Sequence, residues 1–441
     1  MHENAWFLIV GAVLVFMGIA ATTLKRLPCS AAMFYLAIGY ALGPSGAGLL
    51  VLDAVRDAPL LRLLTEVALL VSLFAIGLRL RVPLFDRLWA LPLRLGFVAM
   101  VLTVPLVAAF GVYVLQLAWG PALLLAAILA PTDPVLAHDV QVQNPGDVDL
   151  LRFALSGEGG LNDGIALPFA LLGLMWCAAP SASGADAITW SFAGSVLWGV
   201  VGALVVGGTL GWAATHMVTW LRTRHEQALG LEGFFALGLI ELAYGVAQIA
   251  HTYGFLAVFA AGVAMRRVEQ RASGDRSPHE AIGAIDAQDV TATAADPQKA
   301  HAYMAESVLG FTIELERIAE MAVMTMIGAT LSGLPQQHIA LLTWNNAALV
   351  AVLFLIVRPV AAELSLTGSS ASRAQRRLVS WFGIRGIGSF YYLAFALERD
   401  RSAQIAALVS PVLAVVAASV IVHGVSATPL MKRYRMRDSS Q

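Results

Sequence analysis

The sequence is divided into apolar runs of about the length that an α-helix needs to cross a lipid bilayer. A hydrocarbon layer of about 30 Å takes about 20 mostly apolar residues per helix, and backbone groups in lipid must pair within the helix. The chain is therefore predicted to be an all-α polytopic membrane protein with about thirteen transmembrane helices. The runs lie at about 6–24, 28–43, 61–78, 90–116, 121–141, 150–178, 190–220, 231–249, 252–267, 308–333, 339–366, 378–397 and 404–430.

Composition narrows the classes of partner. Hydrophobic residues make up 58% of the chain and charged residues 13%, against roughly 25% charged in a soluble domain. The net charge of −1 gives no reason to expect nucleic acid as a partner.

Cys29 and Cys177 lack CxxC or Cys/His spacing, so neither a disulfide framework nor a zinc site is indicated, and no cofactor is expected. Residues 1–4 lack a basic segment, so the first run is predicted to be a retained span.

The basic residues of the short loops indicate the orientation in the cell (inner) membrane. Most of them fall on one side of the predicted spans, which the positive-inside rule assigns to the cytoplasm. Only four fall on the other side: Arg56, Arg62, Arg399 and Arg401. This distribution predicts an amino terminus outside and a carboxyl terminus in the cytoplasm.

One transmembrane domain is predicted over residues 1–430, followed by a short basic cytoplasmic tail at 431–441. The polar stretch at about 268–305 is rich in Ala, Asp, Ser and Gly, which is typical of a cytoplasmic connecting loop. The tail contains KRYRMR, which either binds anionic membrane lipid or only sets the topology.

Two spans are interrupted, by APTDP at 130–134 and by GIRGIG at 383–388. With 190–220 set aside as a linker helix, the spans form repeats of six at about 1–178 and 231–430. Each interrupted span is the fifth of its repeat. This pairing predicts inverted repeats whose two discontinuous helices cross near a site at mid-membrane.

Asp133 lies in the first interruption, between Pro131 and Pro134. Prolines remove backbone donors and leave nearby carbonyls free to face an aqueous cavity, and a hard cation prefers such oxygens. Thr132 adds a hydroxyl and a carbonyl at the same break. The alternative role of Asp133 is to cap the next half-helix.

The stretch SGEGGLNDG in the sixth span carries Glu158, Asn162 and Asp163. Glu158 and Asn162 share a helix face, and Asp163 is rotated by about 100° from Asn162, so Asp163 can face the fifth span. Arg358 precedes Pro359 deep in the eleventh span and needs an anionic partner. Glu158 is the best candidate, because that pairing leaves Asp133 and Asp163 for transported ions.

Other charged residues of the predicted spans are open to more than one interpretation. Arg385 either satisfies the carbonyls exposed at the second break, sets the potential of the site, or extends to the membrane interface. Glu66 is a secondary candidate for an indirect role in ion binding. Glu316 and Glu320 are expected to be solvated at the cytoplasmic end of the tenth span, where Glu314 can pair with Arg317.

Taken together, five stretches resemble the sodium/proton exchanger branch of the monovalent cation:proton antiporters, of the bacterial NhaP-like type. They occur in the expected order across nearly the whole chain. They are PTDP (131–134), the Glu158–Asn162–Asp163 arrangement, Arg358–Pro359, WFGIRG (381–386) and HGVSATPL (423–430).

The resemblance implies a thirteen-helix inverted-repeat fold, a homodimer, and Na⁺ and H⁺ as the transported ions. It assigns Asp163 and Asp133 as the cation and proton carboxylates, Thr132 as an oxygen ligand of Na⁺, and Asn162 as a supporting residue. Asn162 stands where electrogenic relatives carry a second Asp, and no Lys lies in a predicted span. Electroneutral exchange is therefore implied.

One position departs from the family pattern, because many relatives have Ser where this chain has Gly159. A water, a carbonyl or Ser156 can replace that hydroxyl, so the choice among Na⁺, Li⁺ and K⁺ stays open. The sequence thus predicts a Na⁺/H⁺ antiporter rather than an enzyme. A K⁺/H⁺ antiporter and a cation channel are the alternatives.

Overall fold

The fold is taken from a computed structural model of the chain. The structure describes residues 11, 12, 15, 18, 19, 30–133, 136, 140–147, 149–178, 190–225, 230–274, 276–283 and 290–438. Within these residues every regular element is a helix, as the apolar runs predict. The first predicted span therefore lies almost entirely outside the described residues, as do Pro134 and residues 284–289 of the predicted connecting loop.

The longer helices are numbered here in chain order. They are α1 (Ala31–Leu42), α2 (Ala58–Arg79), α3 (Arg87–Tyr113), α4 (Trp119–Leu129), α5 (Leu150–Ala178), α6 (Trp190–His225), α7 (Glu232–Ile249), α8 (Gly254–Ser273), α9 (Ala300–Gly333), α10 (Trp344–Ser365), α11 (Arg373–Trp381), α12 (Ile387–Arg399) and α13 (Val409–Asp438). Short helices lie at Pro278–Ile282, Val290–Ala295, Pro335–Gln337 and Ala403–Ala406.

Eight helices of the described residues are long and apolar enough to cross a membrane, and α1 and α4 are shorter apolar helices. The eight are α2, α3, α5, α6, α7, α9, α10 and α13. The protein is therefore an all-α polytopic membrane protein. The count of about thirteen spans stays a prediction, since it includes the first span and helices that are short or carry several charges.

Two pairs of irregular helices follow the order that the predicted repeats require. Helices α3 and α10 each contain a π-helical turn, at Arg94–Ala99 and Leu353–Val357. In the predicted numbering these are the fourth spans of the two repeats. Helix α4 stops at Leu129, and α11 and α12 are separated by non-helical residues 382–386, so both fifth spans are interrupted. Such turns and breaks are frequent at functional sites.

Helices α1, α2 and α6–α9 form one group, which we call the scaffold bundle. Helix α2 is tied to α8 and α9 through polar contacts at its carboxyl-terminal end. Arg79 pairs with Glu316 at 2.5 Å, and Arg266 donates to the carbonyl of Leu78. Gly77 lies so close to α8 that a Cβ there would be 2.5 Å from the carbonyl oxygen of Phe259.

Helices α3–α5 and α10–α13 form the second group, the site bundle, whose α12 also packs extensively against α2 of the scaffold bundle. The members of the site bundle are tied together around the two interruptions. Trp381 of α11 donates to Ser426 of α13 at 3.0 Å, and the backbone N–H of Arg385 donates to Ser419 of the same helix at 2.7 Å. The interruptions therefore lie at the centre of one packed unit.

Two predicted boundaries differ from the structure. The stretch predicted as a connecting loop at 268–305 is helical at both ends, because α8 continues to Ser273 and α9 begins at Ala300. Helix α13 continues to Asp438, so most of the basic tail is helical. Polar residues extend these helices beyond their apolar cores, and apolar periodicity alone cannot locate such ends.

Candidate functional site

The two interrupted segments meet through their backbones. The N–H of Asp133, in the first break, donates to the carbonyl of Ile384, in the second, at 2.7 Å. Both segments are buried. Pro131 and the glycines of GIRGIG prevent either segment from continuing as a helix, so their peptide groups pair with each other instead. The site is built around this crossing.

Arg385 satisfies the carbonyls that the interruptions expose. Its side chain is 1% exposed, and its guanidinium donates to the carbonyls of Leu129 at 2.9 Å and Ala130 at 3.4 Å. A further bond joins it to the carbonyl of Gly383. Its positive charge therefore lies at the carboxyl end of α4, where the helix dipole is negative. The interpretation of Arg385 as a side chain that extends to the membrane interface is wrong, since it is buried among these carbonyls.

Asp133 faces the amino end of the opposite interrupted helix. One of its carboxylate oxygens accepts a hydrogen bond from the backbone N–H of Ile387, the first residue of α12. A helix amino end favours a negative charge because its first N–H groups have no partner within the helix. Asp133 thus does act as a cap, but of α12 rather than of the segment that follows it in sequence.

Asp163 lies within α5, directly opposite the first turn of α12. It is fully buried, and within the described part of the chain neither of its carboxylate oxygens has a hydrogen-bond partner. A Cβ at Gly388 would lie 2.7 Å from the nearer oxygen, so only glycine allows this approach. A buried carboxylate without partners is costly as an anion, and it is stabilised by binding either a proton or a cation.

Asn162 connects Asp163 to the first interruption. Its amide donates to the hydroxyl of Thr132 at 2.7 Å, and both residues are buried. The amide oxygen of Asn162 has no partner within the described part of the chain. The structure therefore brings together the four predicted residues of the ion site, Asp133, Thr132, Asn162 and Asp163.

Arg358 lies against Glu158, the partner predicted from the sequence. The guanidinium binds both carboxylate oxygens, one of them at 2.9 Å. It also donates to the carbonyls of Val379 and Phe382 at 3.0 and 3.1 Å. Both charged groups are buried, so a two-point contact with additional acceptors offsets the cost of removing them from water.

The secondary candidates lie apart from this cluster. The hydroxyl of Ser156 accepts the backbone N–H of Val142 at 2.9 Å, and none of its described bonds reaches Asp133 or Asp163. Glu66 binds Arg62 and Tyr244. Glu316 is buried against Arg79 and Ser72, so the prediction that it is solvated is wrong. The predicted pair of Glu314 with Arg317 is confirmed at 2.8 Å.

Tyr392 and Gly388 belong to the site but are not predicted from the sequence. The hydroxyl of Tyr392 donates to the backbone carbonyl of Asp163. Gly388 has no Cβ, which leaves room for the carboxylate of Asp163 beside it. Tyr392 and Gly388 both lie in α12 just after the non-helical residues 382–386, on the same helix face and four residues apart. That spacing could have singled them out, but an aromatic residue in an apolar run gives no sign of a polar contact.

Comparison with known proteins gives a consistent family assignment. The family model described as "Sodium/hydrogen exchanger, transmembrane" matches residues 11–433. The K⁺/H⁺ antiporter NhaP of Alkalimonas amylolytica is 23% identical over 386 residues, which cover 87% of this chain and 59% of that protein. The Na⁺/H⁺ antiporter NhaG of Bacillus atrophaeus is 23% identical, with 73% of this chain and 54% of that protein covered. The chain thus spans less than two thirds of the length of these curated relatives.

A solved structure shares the fold. The sodium proton antiporter MjNhaP1 from Methanocaldococcus jannaschii, at pH 8, superimposes with a TM-score of 0.68. The match covers 97% of this chain and 100% of that chain, at 17% sequence identity. At that level of identity the similarity shows the fold alone.

Proposed function

Because this chain belongs to the sodium/hydrogen exchanger family, we propose that it is a secondary active antiporter that exchanges Na⁺ for H⁺ through Asp163 and Asp133. The observation that carries the proposal is the burial of both carboxylate oxygens of Asp163 without a described hydrogen-bond partner, beside the crossing of two interrupted helices. A group in that position is stabilised by either ion and cannot hold both.

Competition between the two ions is the proposed coupling. A proton neutralises Asp163 when no cation is bound, and an arriving Na⁺ displaces it. Asp133 supplies the second carboxylate, Thr132 a hydroxyl or carbonyl oxygen, and the amide of Asn162 holds Thr132 in position. Oxygen ligands of this kind suit a hard alkali cation. Only the occupied site crosses between the two sides, so a gradient of one ion moves the other in the opposite direction.

The charge of the site favours electroneutral exchange. Asn162 is neutral, Arg358 is paired with Glu158, and Arg385 is bound to backbone carbonyls. Asp133 accepts the backbone N–H of Ile387 at the amino end of α12, which favours its anionic form, so one cation replaces one proton at Asp163.

K⁺ is the second candidate substrate. One relative is a K⁺/H⁺ antiporter and another is a Na⁺/H⁺ antiporter. Gly159 offers no side-chain oxygen, and the hydroxyl of Ser156 is already bound to the backbone of Val142. A site with fewer protein ligands leaves more of the cation hydrated, which reduces discrimination by size.

The membrane, the oligomeric state and the orientation of the protein are part of the same proposal. We place it in the cell (inner) membrane as a homodimer, with the amino terminus outside and the carboxyl terminus in the cytoplasm. The basic residues at the end of α13 then lie beside the anionic lipid of the cytoplasmic leaflet.

Exchange in proteoliposomes tests the proposal. Purified protein is reconstituted with a pH-sensitive dye inside, and Na⁺, Li⁺ or K⁺ is added outside. We expect Na⁺-dependent proton movement in the wild type and none in Asp163→Asn, which keeps the shape of the side chain but cannot carry the charge. Glu314→Gln is the matched control, because Glu314 is an exposed carboxylate on α9 and its loss should leave exchange unchanged. Normal exchange by Asp163→Asn would exclude the proposed site.

A further inference from the structure

Five side chains of α2, α7 and α12 meet near the helix ends that the charge pattern places outside. Arg62 pairs with both Glu66 and Glu398. Glu66 also accepts the hydroxyl hydrogen bond of Tyr244, and the hydroxyl of Tyr391 lies 3.5 Å from it. We call these residues the outer cluster. Glu66 is 7% exposed, whereas the side chains of Arg62 and Glu398 are 26% and 30% exposed, so both partners of this ion pair are partly open to water although the Nε atom of Arg62 that joins them is buried.

The outer cluster joins the two bundles. Arg62, Glu66 and Tyr244 belong to the scaffold bundle, while Tyr391 and Glu398 belong to α12 of the site bundle. Helix α12 also carries the groups that contact the aspartates, since Ile387 binds Asp133 and Tyr392 binds Asp163. A movement of the ion site relative to the scaffold bundle therefore moves Glu398 relative to Arg62.

The other described polar contacts join residues of the same bundle. The remaining ion pairs of the described residues each lie within one bundle, as Arg79–Glu316 and Arg358–Glu158 do. Elsewhere the bundles meet through apolar side chains, such as Phe259 against Gly160 and Leu256 against Gly164. Arg62–Glu398 is the one described ion pair that crosses from one bundle to the other.

We propose that Arg62 and Glu398 form an outer gate, an ion pair that closes the external route to Asp163 and must separate in every transport cycle. This inference rests on the proposed antiport, because it assigns a role to the pair within that movement.

The arrangement suits a contact that opens and closes repeatedly. Arg62 and Glu66 are four residues apart on α2, so Arg62 keeps a carboxylate partner when Glu398 leaves. Glu66 in turn keeps Tyr244, which belongs to its own bundle. Glu398 is partly exposed and passes into water, where an isolated carboxylate is well solvated. Separation of the pair leaves no buried charge unpaired. The attraction between two partly exposed charges is also weak.

Reversible cross-linking tests the gate. Arg62→Cys and Glu398→Cys are combined in a background in which Cys29 and Cys177 are replaced by Ser. The pair is bridged with a bifunctional methanethiosulfonate reagent, which dithiothreitol removes. We expect Na⁺/H⁺ exchange in proteoliposomes to fall to the level of empty vesicles after bridging and to return after reduction. Undiminished exchange by fully bridged protein would overturn the proposal.

A pair within one bundle provides the control. Ser45 and Ser332 contact each other near the same ends of the helices, with the Ser45 hydroxyl 2.6 Å from the Ser332 carbonyl, and both belong to the scaffold bundle. Bridging Ser45→Cys with Ser332→Cys should leave exchange unchanged. Loss of exchange in this control as well would show that bridging is not selective for the gate, and the proposal would fail.

A second measurement covers the case in which the Arg62/Glu398 double variant does not transport before bridging. Phe255 of α8 packs its ring against Tyr391, below the outer gate, and is buried. With Phe255→Cys as a reporter, the addition of Glu398→Gln should raise labelling by an impermeant external maleimide several-fold. Equal labelling rates would contradict the gate. Absence of exchange in the wild type would instead count against the proposed function and leave the labelling test valid.

Discussion

At the scale of single residues, the site depends on how closely two carboxylates approach the second interruption. Gly388 lies against Asp163, and Asp133 binds the first N–H of α12. Arg385 then neutralises the exposed carbonyls on the other side of the crossing. These contacts accompany the interruption of two helices within the membrane, where unpaired backbone groups are costly.

Replacing Gly388 with Ala should disturb ion binding directly. The added methyl would lie 2.7 Å from a carboxylate oxygen of Asp163, so either the side chain or α12 must shift. We expect the apparent KM for Na⁺ in proteoliposomes to rise roughly tenfold, the loss of about one good ligand interaction. Gly245→Ala is the control, since a Cβ at Gly245 meets nothing within 4 Å. An unchanged KM in Gly388→Ala would show that Asp163 is not confined as described.

The sequence predicts the residues of the site better than it predicts their partners. Proline and glycine reveal the interruptions because of their backbone chemistry, and buried charges in apolar runs are few enough to pair by elimination, as with Glu158 and Arg358. It cannot predict that Asp133 caps α12 or that Arg385 reaches Leu129, because those contacts join segments about 250 residues apart. The prediction that Glu316 is solvated fails for the same reason, since its partner Arg79 lies on another helix.

At the scale of helices, Glu158 and Arg358 hold α5 against α10 and the end of α11. Arg358 follows directly on the π-helical turn Leu353–Val357, and Pro359 cannot donate a backbone hydrogen bond. The wider turn and the proline loosen α10 locally. The ion pair and the two carbonyl contacts of Arg358 restore the connection between the three helices.

Breaking this pair on one side should destabilise the protein more than removing it completely. Glu158→Gln leaves a buried guanidinium without its anionic partner, which lowers the free energy of unfolding by about 3–5 kcal/mol. Replacing both residues with an apolar pair of similar volume often leaves that free energy unchanged. We therefore expect a marked fall in the thermal unfolding midpoint of Glu158→Gln in detergent. The double variant Glu158→Leu/Arg358→Met should recover much of that loss. If the double variant is less stable than the single one, the pair contributes net stability that this explanation does not include.

Helix ends are the part of the fold that the sequence predicts least well. The apolar period locates the membrane-spanning parts, and α7 begins at Glu232, next to its predicted first residue. It does not show that α8 continues to Ser273, because the last turns of α8 are polar and pair with neighbouring charges. Arg81 binds Glu269 there at 2.8 Å, and Arg266 binds Glu306 at 2.8 Å.

At the scale of the whole molecule, the division into two bundles gives the site a means of moving. Each bundle is held together by its own buried polar contacts, whereas the bundles meet mainly through apolar side chains and through the outer gate. Apolar surfaces slide without leaving hydrogen bonds unpaired. In the proposed antiport, the predicted inverted repeats would contribute related helices to both bundles, and the site would stay within one bundle as the bundles move.

The central claim is that a proton and a cation compete for the aspartates, and the pH dependence of cation affinity tests it most directly. The apparent KM for Na⁺ is measured in proteoliposomes that have the same pH on both sides, over a series of pH values. Competition by one proton predicts that KM rises by roughly tenfold for each unit of falling pH on the acidic side, while saturating Na⁺ restores exchange. A KM that does not change with pH over the whole range, together with Na⁺ uptake that moves no protons, would contradict the account.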